Sequence, residues 1–381
     1  MSALAHEALA RLRHRHVAVA TVVTCMVTAG SVAFQPSHEV QAALLLVAAA
    51  VFGVPHGALD HLAGRATFQD RLGALWLPVF LTLYLAVCAC VVLVWLWVPL
   101  PMLLCFLLVA VVHFGSEDVG PLSQADHHEG GLRPWIRRGE VLGRGALPIV
   151  VPSAAHPTEV GRIFDALGLA STTIDGETVA LTIGTAWPLA ALALAPVIGH
   201  MTSRAVRSRS TSPVSSLIEL PIIVSALVLL PPLLGFVVYF VGWHAVRHTL
   251  VWVVRLNPTN PRHGFMSFTR LALPLTLGTI ALGSGAWIWM DTPPGERALQ
   301  VVFVGLAALT FPHVALELVR EQPERVVRVV LEVRAQHLAH HRVLAHQDLR
   351  LAAQRDADVL ELLRADVVAL DHEDRLVLVE E

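Results

Sequence analysis

Long apolar stretches alternate with short polar, arginine-bearing segments along most of the chain, and the alternation stops near residue 320. A hydrocarbon core about 30 Å thick needs roughly 20 apolar residues in a helix. Stretches of that character run over 17–35, 39–58, 75–97, 100–116, 143–156, 179–199, 217–234, 235–256, 270–290 and 298–318. Those at 143–156 and 217–234 are short or proline-rich, and Pro221, Pro231 and Pro232 kink or end a helix. The pattern predicts an all-α fold, a polytopic integral membrane bundle of 8–10 transmembrane helices. The lower number applies if the weak stretches are re-entrant.

Three regions follow. Residues 1–16 form an N-terminal cytoplasmic segment, 17–320 a transmembrane catalytic domain, and 321–381 a polar cytoplasmic tail. The tail keeps apolar residues at helical spacing (Leu338, Val343, Leu344, Leu349, Leu351), which predicts helices lying on the membrane surface. Its histidines, His337, His340, His341 and His346, read as a solvated helix face.

Arginines decide the orientation. Arg11, Arg13 and Arg15 precede the first span, and Arg65 and Arg71 follow the second. Arg133, Arg137, Arg138 and Arg144 follow the fourth, and Arg204, Arg207 and Arg209 the sixth. Arg255, Arg262 and Arg270 surround the loop after the eighth, and Arg320 follows the tenth. The alternate loops carry few. Both termini are therefore expected in the cytoplasm, in a multi-pass protein of the cell's inner (plasma) membrane.

Composition agrees. Of 381 residues, 55% are hydrophobic and 15% charged, against about 25% charged in soluble domains. The bilayer is the first partner. The net charge of −3 points to no other, and no basic patch interleaved with aromatics argues for nucleic acid. Cys25, Cys88, Cys90 and Cys105 lie in apolar stretches without a CxxC pair and read as small hydrophobes.

Chemistry enters with the histidines. Six of the twenty lie inside the most apolar stretches, in Pro55-His56-Gly57-Ala58-Leu59-Asp60-His61, His113-Phe114-Gly115-Ser116-Glu117, Trp243-His244-Ala245-Val246-Arg247-His248 and Pro312-His313-Val314-Ala315-Leu316-Glu317. Three segments follow His-x-x-x-Asp/Glu and one His-x-x-x-His. On a helix these positions share a face. Polar groups at membrane depth are costly and mark function. With the second, fourth, eighth and tenth spans running in one direction, the motifs can meet at a similar depth. Neutral imidazole suits iron, zinc, copper or nickel. His244 and His248 form the strongest ligand pair, with His56 and His113 the natural third and fourth. Asp60, Glu117 and Glu317 are placed to accept the far ring N–H of a ligand histidine. His61 and His313 read as outer-shell or pocket groups, and Tyr239 and Trp243 lie beside the same motifs.

These residues resemble the Brp/Blh family of membrane β-carotene 15,15'-dioxygenases. The matching elements are Gly-Val-Pro-His-Gly-Ala-Leu-Asp-His at 53–61, His-Phe-Gly at 113–115, Trp-His-x-x-Arg-His at 243–248 and Pro-His at 312–313. The resemblance covers about residues 40–320. It implies a multi-helix membrane enzyme in which Fe(II), held by His56, His113, His244 and His248, serves O2-dependent cleavage of the central 15,15' bond. The implied substrate is β-carotene or a related carotenoid, the product two molecules of retinal, and the downstream partner an opsin receiving retinal. Zinc would satisfy the same ligands but could not activate O2.

Two other readings compete. A membrane di-iron carotenoid or lipid hydroxylase or desaturase needs about eight histidines in HxxHH-type clusters. His127-His128 and His340-His341 stand in polar segments without them. A non-enzymatic metal or proton transporter would use the same intramembrane His and Asp residues as a conduction path.

Overall fold

The computed structural model describes residues 3–119, 134–207 and 212–319. The described residues are mostly helical, joined by short turns, with no strand among them. Helix α1 (Ala3–Phe34) leads into a helical run from His38 to Trp97: α2 (His38–Ala48), a π turn (Ala49–Gly53), α3 (Val54–Gly57), α4 (Asp60–Leu72) and α5 (Trp76–Trp97). Then follow α6 (Pro99–Asp118), α7 (Pro134–Ala155), α8 (Pro157–Ala166), α9 (Gly176–Gly184), α10 (Trp187–Arg207) and α11 (Ser212–Leu229). After α12 (Pro232–Tyr239), a second π turn (Phe240–Ala245) continues into α13 (Val246–Leu256). Helices α14 (Pro261–Trp289) and α15 (Pro294–Val319) complete the bundle.

Local chemistry explains the boundaries. Proline opens α6, α8, α12, α14 and α15, where its missing N–H costs nothing. The Asn260 side chain caps α14 by accepting the His263 N–H. Asp175 caps α9 by accepting the Thr178 N–H at 2.8 Å, and that bond holds its carboxyl below the ordinary carboxylate range. Interior prolines in α7, α10, α14 and α15 are tolerated because packed neighbours can satisfy the freed carbonyls.

Among the described residues, seven helical stretches are long and apolar enough to cross a membrane. They contain eight of the ten stretches marked in the sequence, because His38–Trp97 holds two of them. The two weak stretches differ. Residues 143–156 fall in α7, which is helical but is not among the seven, and 217–234 includes the shorter apolar helix Ile218–Leu229. The chain is a multi-pass membrane protein with an all-α bundle. Its outer surface carries Leu96, Trp97, Leu108, Ile288 and Trp289 almost fully exposed, as a lipid-facing surface requires. Trp97 and Trp289 end their helices, where amphipathic rings favour the membrane interface. The predicted tail, 321–381, lies outside the described residues.

Arg144 is buried within α7, with Nε 2.8 Å from Glu140 Oε1 and Nη1 2.7 Å from Glu219 Oε1. It is an interior charge matched by carboxylates, so it carries no information about which side of the membrane its segment faces.

Candidate metal centre

Four helical segments deliver histidines to one place. His56 follows the first π turn. Pro55 has no N–H to bond the carbonyl of Val51 four residues back, which favours a wide turn over 49–53. His244 lies inside the second π turn, and His248 follows one turn later on α13. His113 is on the last turns of α6, and His313 follows Pro312 on α15. Wide turns interrupt regular bonding and are frequent at functional sites. The two pack together: a Cβ on Gly53 would come within 2.9 Å of the Phe240 ring. Gly115 of the His-Phe-Gly motif has a similar role. A Cβ there would strike the Val141 carbonyl of α7, and one on Gly145 would strike the Val111 carbonyl of α6. The α6 and α7 backbones touch only because both residues are glycine.

All five of these histidines are buried. His56 is the hub, with ring-centroid distances of 4.0 Å to His248, 5.0 Å to His244, 5.9 Å to His113 and 6.0 Å to His313. His113 lies 5.2 Å from His244 and 5.0 Å from His313. One nitrogen from each of His56, His113 and His244 falls within 4.8 Å of the others, close enough for one ion. His113, His313 and Glu317 form a second such group.

The nitrogens themselves test whether a cation fits. Both of His56, both of His244, Nδ1 of His113 and Nε2 of His313 are buried without a hydrogen-bond partner. Each unsatisfied buried polar group costs about 1–3 kcal/mol. Four clustered imidazoles with unpartnered ring nitrogens are what a borderline metal ion would satisfy.

Carboxylates surround the cluster, and most serve a histidine on another helix. Glu117 Oε2 accepts the Nδ1–H of His248 at 2.7 Å. Asp60 Oδ1 accepts the Nδ1–H of His313 at 2.7 Å, while its Oδ2 accepts the Tyr84 hydroxyl at 2.9 Å. Asp118 Oδ1 faces His244 Nδ1 at 3.5 Å, and its Oδ2 accepts the Tyr239 hydroxyl at 2.9 Å. Glu317 lies 3.9 Å from His113 Nδ1 and 3.8 Å from His313 Nε2. The chain has two tyrosines, and both steady a carboxylate that faces a histidine.

The His-x-x-x-Asp/Glu spacing in the sequence does not mark Asp118, Tyr84 or Trp252 for these roles. Asp118 stands five residues after His113, outside the helical spacing that marked the other acids. Trp252 sets His248 apart: its indole N–H donates to His248 Nε2 at 2.8 Å, so both nitrogens of that ring are engaged. His61 is not brought into the cluster. Its Nδ1–H donates to the Ala58 carbonyl at 2.8 Å, and the ring lines the adjoining cavity. Trp243 is fully buried against α1.

The cavity that meets the cluster measures about 1500 Å³. His56, His113, His244 and His313 line one region of it, and apolar side chains most of the rest. Along α15 the lining runs from His313 to Gln300, about 20 Å at ~1.5 Å per residue. Its far region includes Trp95, Leu167 and Trp287. Such a space suits a long apolar molecule more than a compact polar one.

The profile of the β-carotene 15,15'-dioxygenase family matches residues 47–319. The chain belongs to this family. It is 29% identical over 293 residues to a probable β-carotene 15,15'-dioxygenase, Blh, of Halobacterium salinarum, covering 71% of this chain and 82% of the relative. It is 27% identical over 267 residues to the β-carotene 15,15'-dioxygenase of an uncultured marine bacterium, covering 69% and 88%. No solved structure matches the chain. The match spans every histidine of the cluster and leaves out the whole of α1.

Proposed function

We propose that the chain is a β-carotene 15,15'-dioxygenase that uses Fe(II) and O2 to cleave the central double bond of β-carotene into two molecules of retinal. The observation that carries this reading is the meeting of unpartnered, buried imidazoles with a long apolar cavity inside a membrane bundle. His56, His113, His244 and His248 would hold the iron. For His248 this requires Trp252 to release Nε2. When bound, iron supplies the one-electron redox chemistry that O2 needs to react with an unactivated C=C bond.

The chain's own residues do the rest. Glu117, Asp60 and Asp118 hold imidazoles in one orientation by accepting or facing their Nδ1 groups. Apolar side chains such as Phe106, Phe114, Phe236 and Phe303 line the cavity, exclude water and align an extended polyene. Substrate arriving from the bilayer needs no aqueous path. In this reading both termini face the cytoplasm, the protein sits in the plasma membrane, and an opsin receives the retinal.

Expression in cells that accumulate β-carotene tests the reading. Loss of orange colour with the appearance of retinal is expected, together with iron in the purified protein. Unchanged β-carotene in cells holding folded, iron-loaded protein would sink it.

A further inference from the structure

Helix α1 lies ahead of the family match, yet it is bonded to the wide turn that carries His244. Buried His16 donates its Nε2–H to the Gly242 carbonyl at 2.7 Å, across 226 positions of sequence. Trp243, the next residue, donates its indole N–H to Thr24 Oγ1 at 3.2 Å, and Thr24 is buried as well. The His16 and Trp243 rings meet edge-on, with centroids 5.8 Å apart and planes at 80°. The Arg247 guanidinium lies over the Trp243 ring at 5.3 Å. Two residues of one helix thus grip the two positions immediately before His244.

A π turn is rarer and less regular than the α-helix around it. An inserted side chain is a recognised way to hold an irregular bonding ladder. Register has consequences here. Each helical residue turns the chain by about 100°, so closing the wide turn into a regular α turn would swing the side chains after it by roughly that angle relative to α12. His244 would then leave the cluster.

We infer that α1 is a positioning clamp for the metal centre: His16 and Thr24 fix the π turn over 240–245 so that His244 points at His56 and His113. This rests on the reading that His244 holds the metal. His16 and Thr24 are positioning residues and touch neither metal nor substrate.

The test uses the full chain purified in detergent, with Co²⁺ as a visible-absorbing probe and hydrogen exchange measured over 240–246. His16→Phe keeps a ring and removes the donor. It should weaken Co²⁺ binding about tenfold, as outer-shell changes do, alter the Co²⁺ absorption band and speed exchange in the wide turn. His16→Gln retains an N–H and should recover much of the affinity. Thr24→Val should act in the same direction with a smaller effect, and it carries the test if His16→Phe does not fold. A folded His16→Phe protein with wild-type Co²⁺ affinity, band and exchange overturns the clamp. A wild-type protein that binds no Co²⁺ refutes the metal reading instead, and exchange over 240–246 then scores the clamp alone.

Discussion

His248 donates its Nδ1–H to Glu117 across 2.7 Å, although Glu117 stands one turn beyond a different histidine, His113. The acidic half of the His-x-x-x-Glu repeat on α6 thus serves α13. Asp60, four residues after His56, likewise serves His313 on α15. Each carboxylate orients an imidazole and ties two helices together.

Glu117→Gln keeps the size of the side chain and removes its charge. Metal affinity should fall about 10–100-fold, while helical content and detergent stability stay near wild type. Asp60→Asn should weaken metal binding less, since Asp60 accepts from His313 and Tyr84 and from no proposed ligand. Iron titration of the two variants checks this. Wild-type affinity in both would make the acids purely structural.

Trp252 competes for the lone pair that His248 would give to a metal. Trp252→Phe removes the indole N–H and keeps an aromatic ring. Metal affinity should be retained or rise severalfold, whereas His248→Ala and His244→Ala should each lower bound iron and abolish retinal formation. If His248→Ala binds iron as tightly as wild type, His248 is not a ligand, and His313, whose Nε2 accepts or donates no hydrogen bond, becomes the fourth candidate.

What is legible in the amino-acid sequence divides along physical lines. Length and hydropathy mark a membrane helix strongly, so the eight robust stretches all reappear. An imidazole in an apolar run is costly enough to stand out, and His56, His113, His244 and His248 converge as their pattern suggested. Partner identity is another matter. Tyr84 reaches Asp60 across 24 positions and Tyr239 reaches Asp118 across 121. Such pairs depend on how helices pack, which periodicity within one helix cannot reveal. The π turns had a single sequence hint, Pro55. Asp118 had one too, as a second acid beside Glu117 facing the arginine of Trp-His-x-x-Arg-His, but its spacing hid it.

Gly115→Ala probes packing rather than chemistry. The added Cβ would meet the Val141 carbonyl, which is backbone and cannot swing away. Overpacking of this kind costs about 1–3 kcal/mol, and it should separate α6 from α7 and shift His113. The variant should unfold at lower temperature in detergent and bind less iron. Wild-type melting would mean that the two helices slide apart freely.

The last prediction separates stability from metal binding in the buried charge network. Glu219 Oε1 lies 2.7 Å from Arg144 and 2.8 Å from Arg247, and Arg247 in turn lies 3.9 Å from Asp118. All four side chains are buried. Glu219→Gln leaves Arg144 with Glu140 alone and Arg247 with only the more distant Asp118 at 3.9 Å. Removing one partner of a buried ion pair typically costs about 3–5 kcal/mol, so this variant should be severely destabilised whether or not metal is present. Asp118→Asn is milder for the fold, because Arg247 keeps Glu219, but it removes the charge facing His244 Nδ1. It should melt nearer to wild type yet bind iron about 10–100-fold more weakly. Melting curves of both variants with and without added Fe²⁺ decide it. If Glu219→Gln loses only metal affinity, or Asp118→Asn only stability, the division of labour between the network and the centre is wrong.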